Sequence, residues 1–107
     1  MRFALLVPCR DGARFLPRLI ASVEAQRRPF DECWLFDDGS RDDSAAIARD
    51  AGFRVVTATA SIGPAAARNR LAAECTCEWI HFHDADDTLE PDYLAATAAV
   101  ALDTATR

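Results

Sequence analysis

The chain has 107 residues, half of them hydrophobic, which is enough for one compact core and leaves no room for a second domain of ordinary size. Its formal net charge is -5 and its pI is about 4.8, which argues against a nucleic-acid partner because phosphate backbones bind clustered cations. No apolar stretch approaches the roughly 20 residues of a membrane span, and the amino terminus lacks a signal-peptide pattern. We therefore expect a cytoplasmic protein, free or peripheral at the inner face of the membrane.

The amino-terminal segment predicts a buried strand followed by an amphipathic helix. Residues 3–8 form a continuous apolar run, which is typical of a strand covered on both faces. Pro8 is expected to end the hydrogen bonding of this strand to its neighbours. Apolar residues then recur at helical steps, at Leu16, Leu19, Ile20 and Val23. Asp11 or Gly12 can cap this helix, and Pro17 is tolerated because it lies in the first turn.

A second strand and helix are predicted next. Residues 33–36 are apolar, and the run stops at the polar segment 37–40. Ser40 and Asp43 have the spacing of a capping box, which predicts a helix from Arg41 to about Ala51 that Gly52 closes.

The remaining elements follow from apolar runs and helix-start signals. Residues 53–57 predict a third strand and residues 78–83 a fourth, while Pro64 opens a helix through Glu74 and Pro91 one through about Leu102. The alternation of strands and helices predicts an α/β fold, a Rossmann-like three-layer α/β/α arrangement with a mainly parallel sheet of about four strands. A single domain is expected over residues 1–107.

Polar residues follow three of the predicted strands, at residues 9–12, 37–40 and 84–87. The carboxyl ends of parallel strands share one edge of a sheet, and ligands of open α/β folds bind there. Four or five carboxylates would repel one another at this edge unless a cation offset them. Because oxygen ligands on a tight turn suit hard divalent cations, the pattern predicts Mg²⁺ or Mn²⁺.

The acidic turn, residues 84–87 (Asp-Ala-Asp-Asp), is the central candidate site. Its aspartates Asp84 and Asp86 are separated by one residue, so the turn can direct one toward a metal ion and the other toward a ribose hydroxyl. Ala85 between them leaves room for a ligand. The alternative is an ordinary solvated turn that caps the following helix.

Two further residues can complete this site. Asp37, at the end of the second strand, can accept a hydrogen bond from a nucleobase imide or a ribose hydroxyl, although its segment also serves as a strand-to-helix turn. Arg68, on the third predicted helix, can hold a diphosphate through charge-assisted hydrogen bonds if it faces this edge. Otherwise Arg68 is a solvated surface residue.

The four cysteines, at positions 9, 33, 75 and 77, show no disulfide framework, and we expect them to be reduced and partly buried. Cys75 and Cys77 with His81 and His83 offer four zinc-ligating side chains, but their spacing is not that of common structural zinc sites. Alternating positions along a strand are the simpler explanation.

Taken in order, these motifs resemble the inverting glycosyltransferases of family 2, which have the GT-A fold. The resemblance covers residues 3 to about 94. It rests on Val7 to Gly12, on the helix around Ser22, on Phe36-Asp37-Asp38-Gly39-Ser40, on Ala67-Arg68-Asn69, and on the segment from Phe82 to Leu94.

The resemblance implies a donor, a UDP-sugar or a GDP- or dTDP-sugar, and a set of site residues. The implied nucleotide-sugar contacts are Pro8, Asp11, Asp37, Asp38, Arg68, Asp84 and Ala85. The implied metal ligands are Asp86 and Asp84. Two positions depart from the family pattern, since Asp11 stands where Asn is more usual and His83 where an apolar residue is usual.

In the family, the general base is an Asp or Glu well beyond the acidic turn, near the site of the acceptor glycan or lipid. We therefore expect residues 1–107 to be the nucleotide-binding half of a GT-A domain, supplying donor and metal binding for glycosyl transfer. The alternative is a non-catalytic nucleotide- or metal-binding module, or a truncated inactive fragment, that acts through a partner chain. A half domain would expose a sheet edge, which predicts self-association.

Overall fold

A computed structural model describes residues 1–106, with side chains described through residue 102. The elements are β1 (Phe3–Cys9), α1 (Leu16–Glu24), β2 (Glu32–Asp38), α2 (Ser44–Asp50), β3 (Arg54–Ala58), α3 (Pro64–Glu74), β4 (Trp79–Phe82) and α4 (Tyr93–Thr106). Each strand pair is parallel, and the sheet order is β3-β2-β1-β4. The predicted α/β fold with a four-stranded parallel sheet is confirmed.

Helices cover both faces of the central strand β1, which explains its continuous apolar sequence. Leu5 and Val7 belong to a buried cluster with residues of α1 and α2 on one face of the sheet. Ala4 and Leu6 pack against α3 on the other face. Phe3 lies on the α1 face, because side chains alternate along a strand, and it packs against α4. The three predicted layers are therefore present.

The termini of α1, β1 and α4 differ from the predictions. β1 continues through Pro8 to Cys9, because proline lacks only the amide donor and its carbonyl can still pair. The residue at the N-cap of α1 is Phe15, which makes no side-chain cap, so neither Asp11 nor Gly12 caps this helix. α4 begins at Tyr93, two residues after Pro91.

The predicted capping box of Ser40 and Asp43 is wrong. α2 begins at Ser44 rather than Arg41, and Asp43 at its N-cap makes no side-chain cap. The physical reason is that the side chains of Ser40 and Asp42 bond to the loop after β1 or to Ser44. These contacts tie two loops together instead of starting a helix early.

Residues 93–102 of α4 carry no charged side chain and are largely apolar. The helix packs through Leu94, Ala98 and Ala101. Within the described residues 1–106, no helix is long and apolar enough to cross a membrane.

Candidate functional site

The loops that follow β1 and β2 are joined by hydrogen bonds at the carboxyl edge of the sheet. The amide of Asp11 donates to Ser40 Oγ (2.9 Å), and the amide of Arg41 donates to Asp11 Oδ1 (2.7 Å). The amide of Ala13 donates to Asp42 Oδ2 (3.0 Å). Asp11 has φ 52°, a left-handed conformation that aspartate adopts more readily than most residues. Asp11 therefore has a structural role in fixing these loops.

Gly12 leaves room for the Cys9 side chain at the point where the loop after β1 lies beside the acidic turn. A Cβ atom at Gly12 would lie 2.7 Å from Cys9 Sγ and 3.4 Å from the Cβ of Ala85. The amide of Gly12 also donates to the buried Ser44 Oγ (3.0 Å). A side chain at position 12 would therefore collide with the Cys9 side chain, whereas its contact with Ala85 would be of ordinary van der Waals length.

Asp38 fixes the loop that precedes α3. Its carboxylate is buried and accepts hydrogen bonds from the amides of Ile62 (2.7 Å) and Gly63 (3.1 Å) and from Ser61 Oγ (2.7 Å). Burial alone would raise the pKa of Asp38, but these hydrogen bonds and the charge of Arg10 outweigh it, so the pKa is lowered. The result is an ionised and immobile carboxylate beside α3.

Two cavities lie on either side of the acidic turn. The α3-side cavity, of about 250 Å³, is lined by Pro8, Cys9, Arg10, Asp38, Ser61, Pro64, Ala67, Arg68 and Asp84. The α1-side cavity, of about 330 Å³, is lined by Pro8, Cys9, Arg10, Asp11, Gly12, Phe15, Asp84, Ala85 and Asp86. The two cavities share four lining residues and so adjoin. Together they are large enough for a small-molecule ligand, because pockets that bind such ligands have volumes of about 300 Å³ or more.

Most of the site residues predicted from the sequence line one of these cavities. Pro8 and Asp84 line both, Asp38 and Arg68 line the α3-side cavity, and Asp11, Ala85 and Asp86 line the α1-side cavity. The structure therefore brings together side chains from four separate segments of the chain.

Asp37 is the predicted site residue that lines neither cavity. Its register partner is Cys9 on the α1 face of the sheet, whereas the next residue, Asp38, faces α3. The carboxylate of Asp37 accepts a hydrogen bond from the amide of Ser40 (3.0 Å). In this structure Asp37 therefore stabilises the turn after β2.

Arg10 is a site residue that the sequence reasoning missed. It is exposed, lines both cavities and forms no ion pair with any residue of the described part of the chain. Arg68 is likewise exposed and without an ion pair among residues 1–106. The available signal for Arg10 was its position directly after β1, within the polar segment 9–12. The edge thus carries two cations that are free to bind an anionic ligand.

The acidic turn presents carboxylates without cationic partners. The amide of Asp87 donates to the carbonyl of Asp84 (3.2 Å), which closes the turn. Asp84 and Asp86 are exposed, and neither forms an ion pair within residues 1–106. No three potential ligand atoms from the described residues cluster at this edge. One or two carboxylates with open positions fit a hard divalent cation that is completed by water and phosphate oxygens.

The four residues of the alternative zinc site are not brought together. Cys75 and Cys77 pack on the α3 face of the sheet. His81 lies on the opposite face, where Tyr93 Oη is 3.0 Å from its Nδ1 and His83 Nδ1 is 3.1 Å from its Nε2. Burial lowers the pKa of His81, with a smaller contribution from His83. Both imidazoles therefore belong to the packing between β4 and α4.

The fold and the site together define an α/β protein whose carboxyl edge combines an acidic turn with two exposed arginines that form no ion pair in the described part of the chain. The family model for glycosyl transferase family 2 matches residues 4–106. The chain therefore belongs to glycosyl transferase family 2, and the sequence-based assignment is confirmed.

Individual relatives are much longer than the chain. A TPR repeat-containing protein of Synechococcus elongatus is 41% identical over 86 residues, which are 80% of this chain and 21% of that protein. The succinoglycan biosynthesis protein ExoU of Rhizobium meliloti is 36% identical over 95 residues, covering 84% of this chain and 28% of ExoU.

A solved structure also matches the fold. The crystal structure of S. aureus TarS 1-349 in complex with UDP-GlcNAc superposes with a TM-score of 0.83 at 29% identity. The match covers 92% of this chain and 30% of the TarS chain. The chain thus spans less than a third of the length of each of these three proteins.

Proposed function

We propose that this chain binds a nucleoside-diphosphate sugar together with Mg²⁺ or Mn²⁺, and so performs the donor-binding step of glycosyl transfer to a glycan or lipid acceptor. The observation that carries the proposal is the meeting of Arg10 and Arg68 with Asp84 and Asp86 around two adjoining cavities. The similarity to TarS, which was crystallised with UDP-GlcNAc, favours a uridine nucleotide.

We assign the nucleoside to the α3-side cavity. Asp38 lines this cavity as a fixed, ionised acceptor, and Pro8 and Ala67 supply apolar wall. The sequence-based prediction assigned the contact with the nucleobase to Asp37. We assign it to Asp38 instead, because Asp37 does not line the cavity and its carboxylate accepts a hydrogen bond from Ser40. The donor's imide or ribose hydroxyl groups would then donate to Asp38.

We assign the diphosphate to the boundary between the two cavities. Arg10 and Asp84 line both of them, and Arg68 extends from α3 toward the same space. Guanidinium groups bind phosphate oxygens through charge-assisted hydrogen bonds. Asp84 and Asp86 would hold the divalent cation, which when bound stabilises the charge on the departing diphosphate.

Calorimetric titration with UDP in the presence of Mn²⁺ tests the proposal, with two variants on the same helix. Arg68→Ala removes a cation that lines the α3-side cavity, whereas Arg70→Ala removes one that pairs with Glu74 (3.5 Å) outside it. We expect Arg68→Ala to weaken UDP binding about tenfold or more, as the loss of a hydrogen bond between charged groups should. Arg70→Ala should bind as the unaltered chain does.

Two results would overturn the proposal. The first is no detectable UDP binding at millimolar ligand in the unaltered chain. The second is an equal loss of affinity in Arg68→Ala and Arg70→Ala, because that result would assign the effect to net charge rather than to the cavity.

A further inference from the structure

A group of metal-ligating side chains lies at the amino end of the sheet, away from the acidic turn. It consists of Glu32, the first residue of β2, and of Cys75 and Cys77 in the segment between α3 and β4. One ligand atom of each residue lies within 4.8 Å of the ligand atoms of the other two. Among the side chains that the structure describes, these three form the only group of this kind. Two separate segments of this chain therefore supply all three potential ligands.

Thr76 holds the carboxylate beside the two cysteines. Its Oγ1 donates to Glu32 Oε2 (2.7 Å), so the segment between α3 and β4 is tied to the start of β2. The amide of Cys77 donates to Cys75 Sγ (3.3 Å), and both cysteines pack against the buried cluster beneath α3. The three ligands are thus positioned by the fold, which reduces the cost of ordering them when an ion binds.

The carboxylate of Glu32 retains lone pairs for a further interaction. Oε1 accepts a hydrogen bond from Trp34 (2.8 Å) and Oε2 one from Thr76 (2.7 Å), whereas each carboxylate oxygen has two lone-pair sites. Arg2 and Arg54 form ion pairs with these oxygens at the longer distances of 3.2 and 3.6 Å. The hydrogen bonds from Thr76 and Trp34 lower the pKa of Glu32 to about 2. Glu32 is therefore ionised, and able to bind a cation, at neutral pH.

The charges in this group leave room for a divalent cation. Burial raises the pKa of the Cys77 thiol to about 12, with smaller contributions from Cys75 and Glu32, so the free thiol is protonated at neutral pH. With both thiols ionised, the group would carry three negative charges against the two positive charges of Arg2 and Arg54. A bound divalent cation offsets the excess, and thiols that coordinate a metal ion give up their protons.

The ligand types indicate which cation fits. Thiolate ligands favour Zn²⁺ over hard cations such as Mg²⁺, which take oxygen ligands. Zn²⁺ binds thiolate sulfur at about 2.3 Å and carboxylate oxygen at about 2.1 Å, so two sulfurs on one tetrahedral ion lie about 3.8 Å apart. The three ligand atoms are already within 4.8 Å of one another, and small side-chain rotations would bring them to these distances.

We propose that Glu32, Cys75 and Cys77 bind one Zn²⁺ ion, with a water molecule as the fourth ligand. Binding forms two zinc–sulfur bonds and one zinc–oxygen bond to the protein, and releases the two thiol protons to solvent. The ion links the start of β2 to the segment between α3 and β4, and so stabilises the amino end of the sheet. His81 and His83, on the opposite face, take no part. The inference is independent of donor binding, because none of the three ligands lines a cavity of the carboxyl edge.

Titration of the complete, chemically reduced chain with Co²⁺, a spectroscopic substitute for Zn²⁺, tests the proposal. Thiolate ligands give Co²⁺ an intense sulfur-to-metal charge-transfer absorption, which oxygen ligands do not give. We expect this absorption to saturate at one Co²⁺ per chain and to disappear when Zn²⁺ displaces the Co²⁺. Excess Mg²⁺ should leave it unchanged, because Mg²⁺ takes oxygen ligands.

A pair of cysteine variants distinguishes this site from the other thiols. Cys75→Ser removes a ligand, whereas Cys33→Ser removes a half-buried thiol on the opposite face of the sheet and is the matched control. We expect Cys75→Ser and Glu32→Gln to weaken Co²⁺ binding at least about tenfold each. Cys33→Ser, and Asp86→Asn in the acidic turn, should bind Co²⁺ as the unaltered chain does.

Thermal denaturation supplies a second measurement, because an ion that binds the folded chain more tightly than the unfolded chain raises its melting temperature. Zn²⁺ should raise the melting temperature of the unaltered chain and of Cys33→Ser, but not that of Cys75→Ser. Absence of the charge-transfer absorption in the unaltered chain, or equal losses of affinity in Cys75→Ser and Cys33→Ser, would overturn the proposal. An unchanged affinity in Glu32→Gln would overturn the assignment of the carboxylate as the third ligand.

Discussion

The two ends of the sheet differ in whether their negatively charged side chains have positively charged partners. At the amino end, Glu32 is almost fully buried, and Trp34 Nε1 (2.8 Å) and Thr76 Oγ1 (2.7 Å) donate to its carboxylate. Arg2 and Arg54 form ion pairs with it at 3.2 and 3.6 Å. At the carboxyl end, the exposed carboxylates of the acidic turn have no cationic partner in the described part of the chain.

This difference distinguishes a structural carboxylate from the carboxylates that we propose to bind the nucleotide donor and its metal ion. The protein compensates the charge of Glu32 internally, so Glu32 is expected to contribute to stability. The acidic turn is uncompensated, and a bound cation would relieve the repulsion between its aspartates. Asp38 lies between these cases, since it is compensated by backbone amides yet still lines a cavity. The comparison predicts which carboxylates act on folding and which act on binding.

The largest effect on stability is expected at Asp38. Asp38→Ala removes three hydrogen bonds to a buried carboxylate and should lower the free energy of unfolding by about 3 kcal/mol. Asp37→Ala removes one such bond, from Ser40, and should cost about 1 kcal/mol. Urea denaturation of the two variants compares adjacent aspartates on opposite faces of the sheet. Equal losses would show that the different environments assigned to Asp37 and Asp38 are wrong.

A smaller effect, of about 2 kcal/mol, is expected for Glu32→Gln at neutral pH, because the amide keeps the shape but loses the charge that Arg2 and Arg54 compensate. Hydrogen bonds from Thr76 and Trp34 outweigh burial and lower the pKa of Glu32 from 4.5 to about 2. A pKa depressed by folding contributes stability above the unfolded value and loses it as pH falls toward the folded value.

The pH dependence of this loss is the measurement that checks the cause. The difference in unfolding free energy between the unaltered chain and Glu32→Gln should be constant above about pH 6 and shrink between pH 4.5 and pH 2. Urea midpoints at several pH values give this difference. A difference that did not depend on pH would contradict the role of the Glu32 charge.

The smallest effect on stability is expected at the acidic turn. Asp84→Asn and Asp86→Asn remove exposed charges without ion partners, so the free energy of unfolding should change by no more than about 0.5 kcal/mol. Thermal denaturation of both variants without added metal checks this value. A loss comparable to that of Glu32→Gln would assign these aspartates to the fold and remove the contrast between the two ends.

The sequence predicted the fold from features that depend on local pattern. The continuous apolar run predicted β1, because a strand that is covered on both faces has apolar residues at every position. The helical spacing of apolar residues predicted α1, because only one face of that helix is buried. The placement of Asp38 and Asp84 at one edge followed from parallel topology, whereas Arg68 was assigned to this edge by the family resemblance. These predictions needed no side-chain positions.

The errors concern choices that depend on contacts between distant residues. Ser40 has the spacing of a helix cap, but its hydroxyl accepts from the amide of Asp11, 29 residues away. Asp37 and Asp38 are adjacent, and only the register of β2 against β1 decides which of them faces α3. Arg10 was missed because a single cation after a strand carries no spacing pattern of its own.

The most direct test of the central claim is the Mn²⁺ dependence of UDP binding, measured by calorimetry for the unaltered chain, Asp86→Asn and Asp87→Asn. Asp87 lies on the same turn, and its Oδ1 accepts a hydrogen bond from the neighbouring amide of Thr88 (2.8 Å), so Asp87→Asn is the matched control. Mn²⁺ should strengthen UDP binding about tenfold or more in the unaltered chain and in Asp87→Asn, and should have little effect in Asp86→Asn. UDP affinity that is the same with and without Mn²⁺ in the unaltered chain would contradict a metal-assisted donor site at the acidic turn.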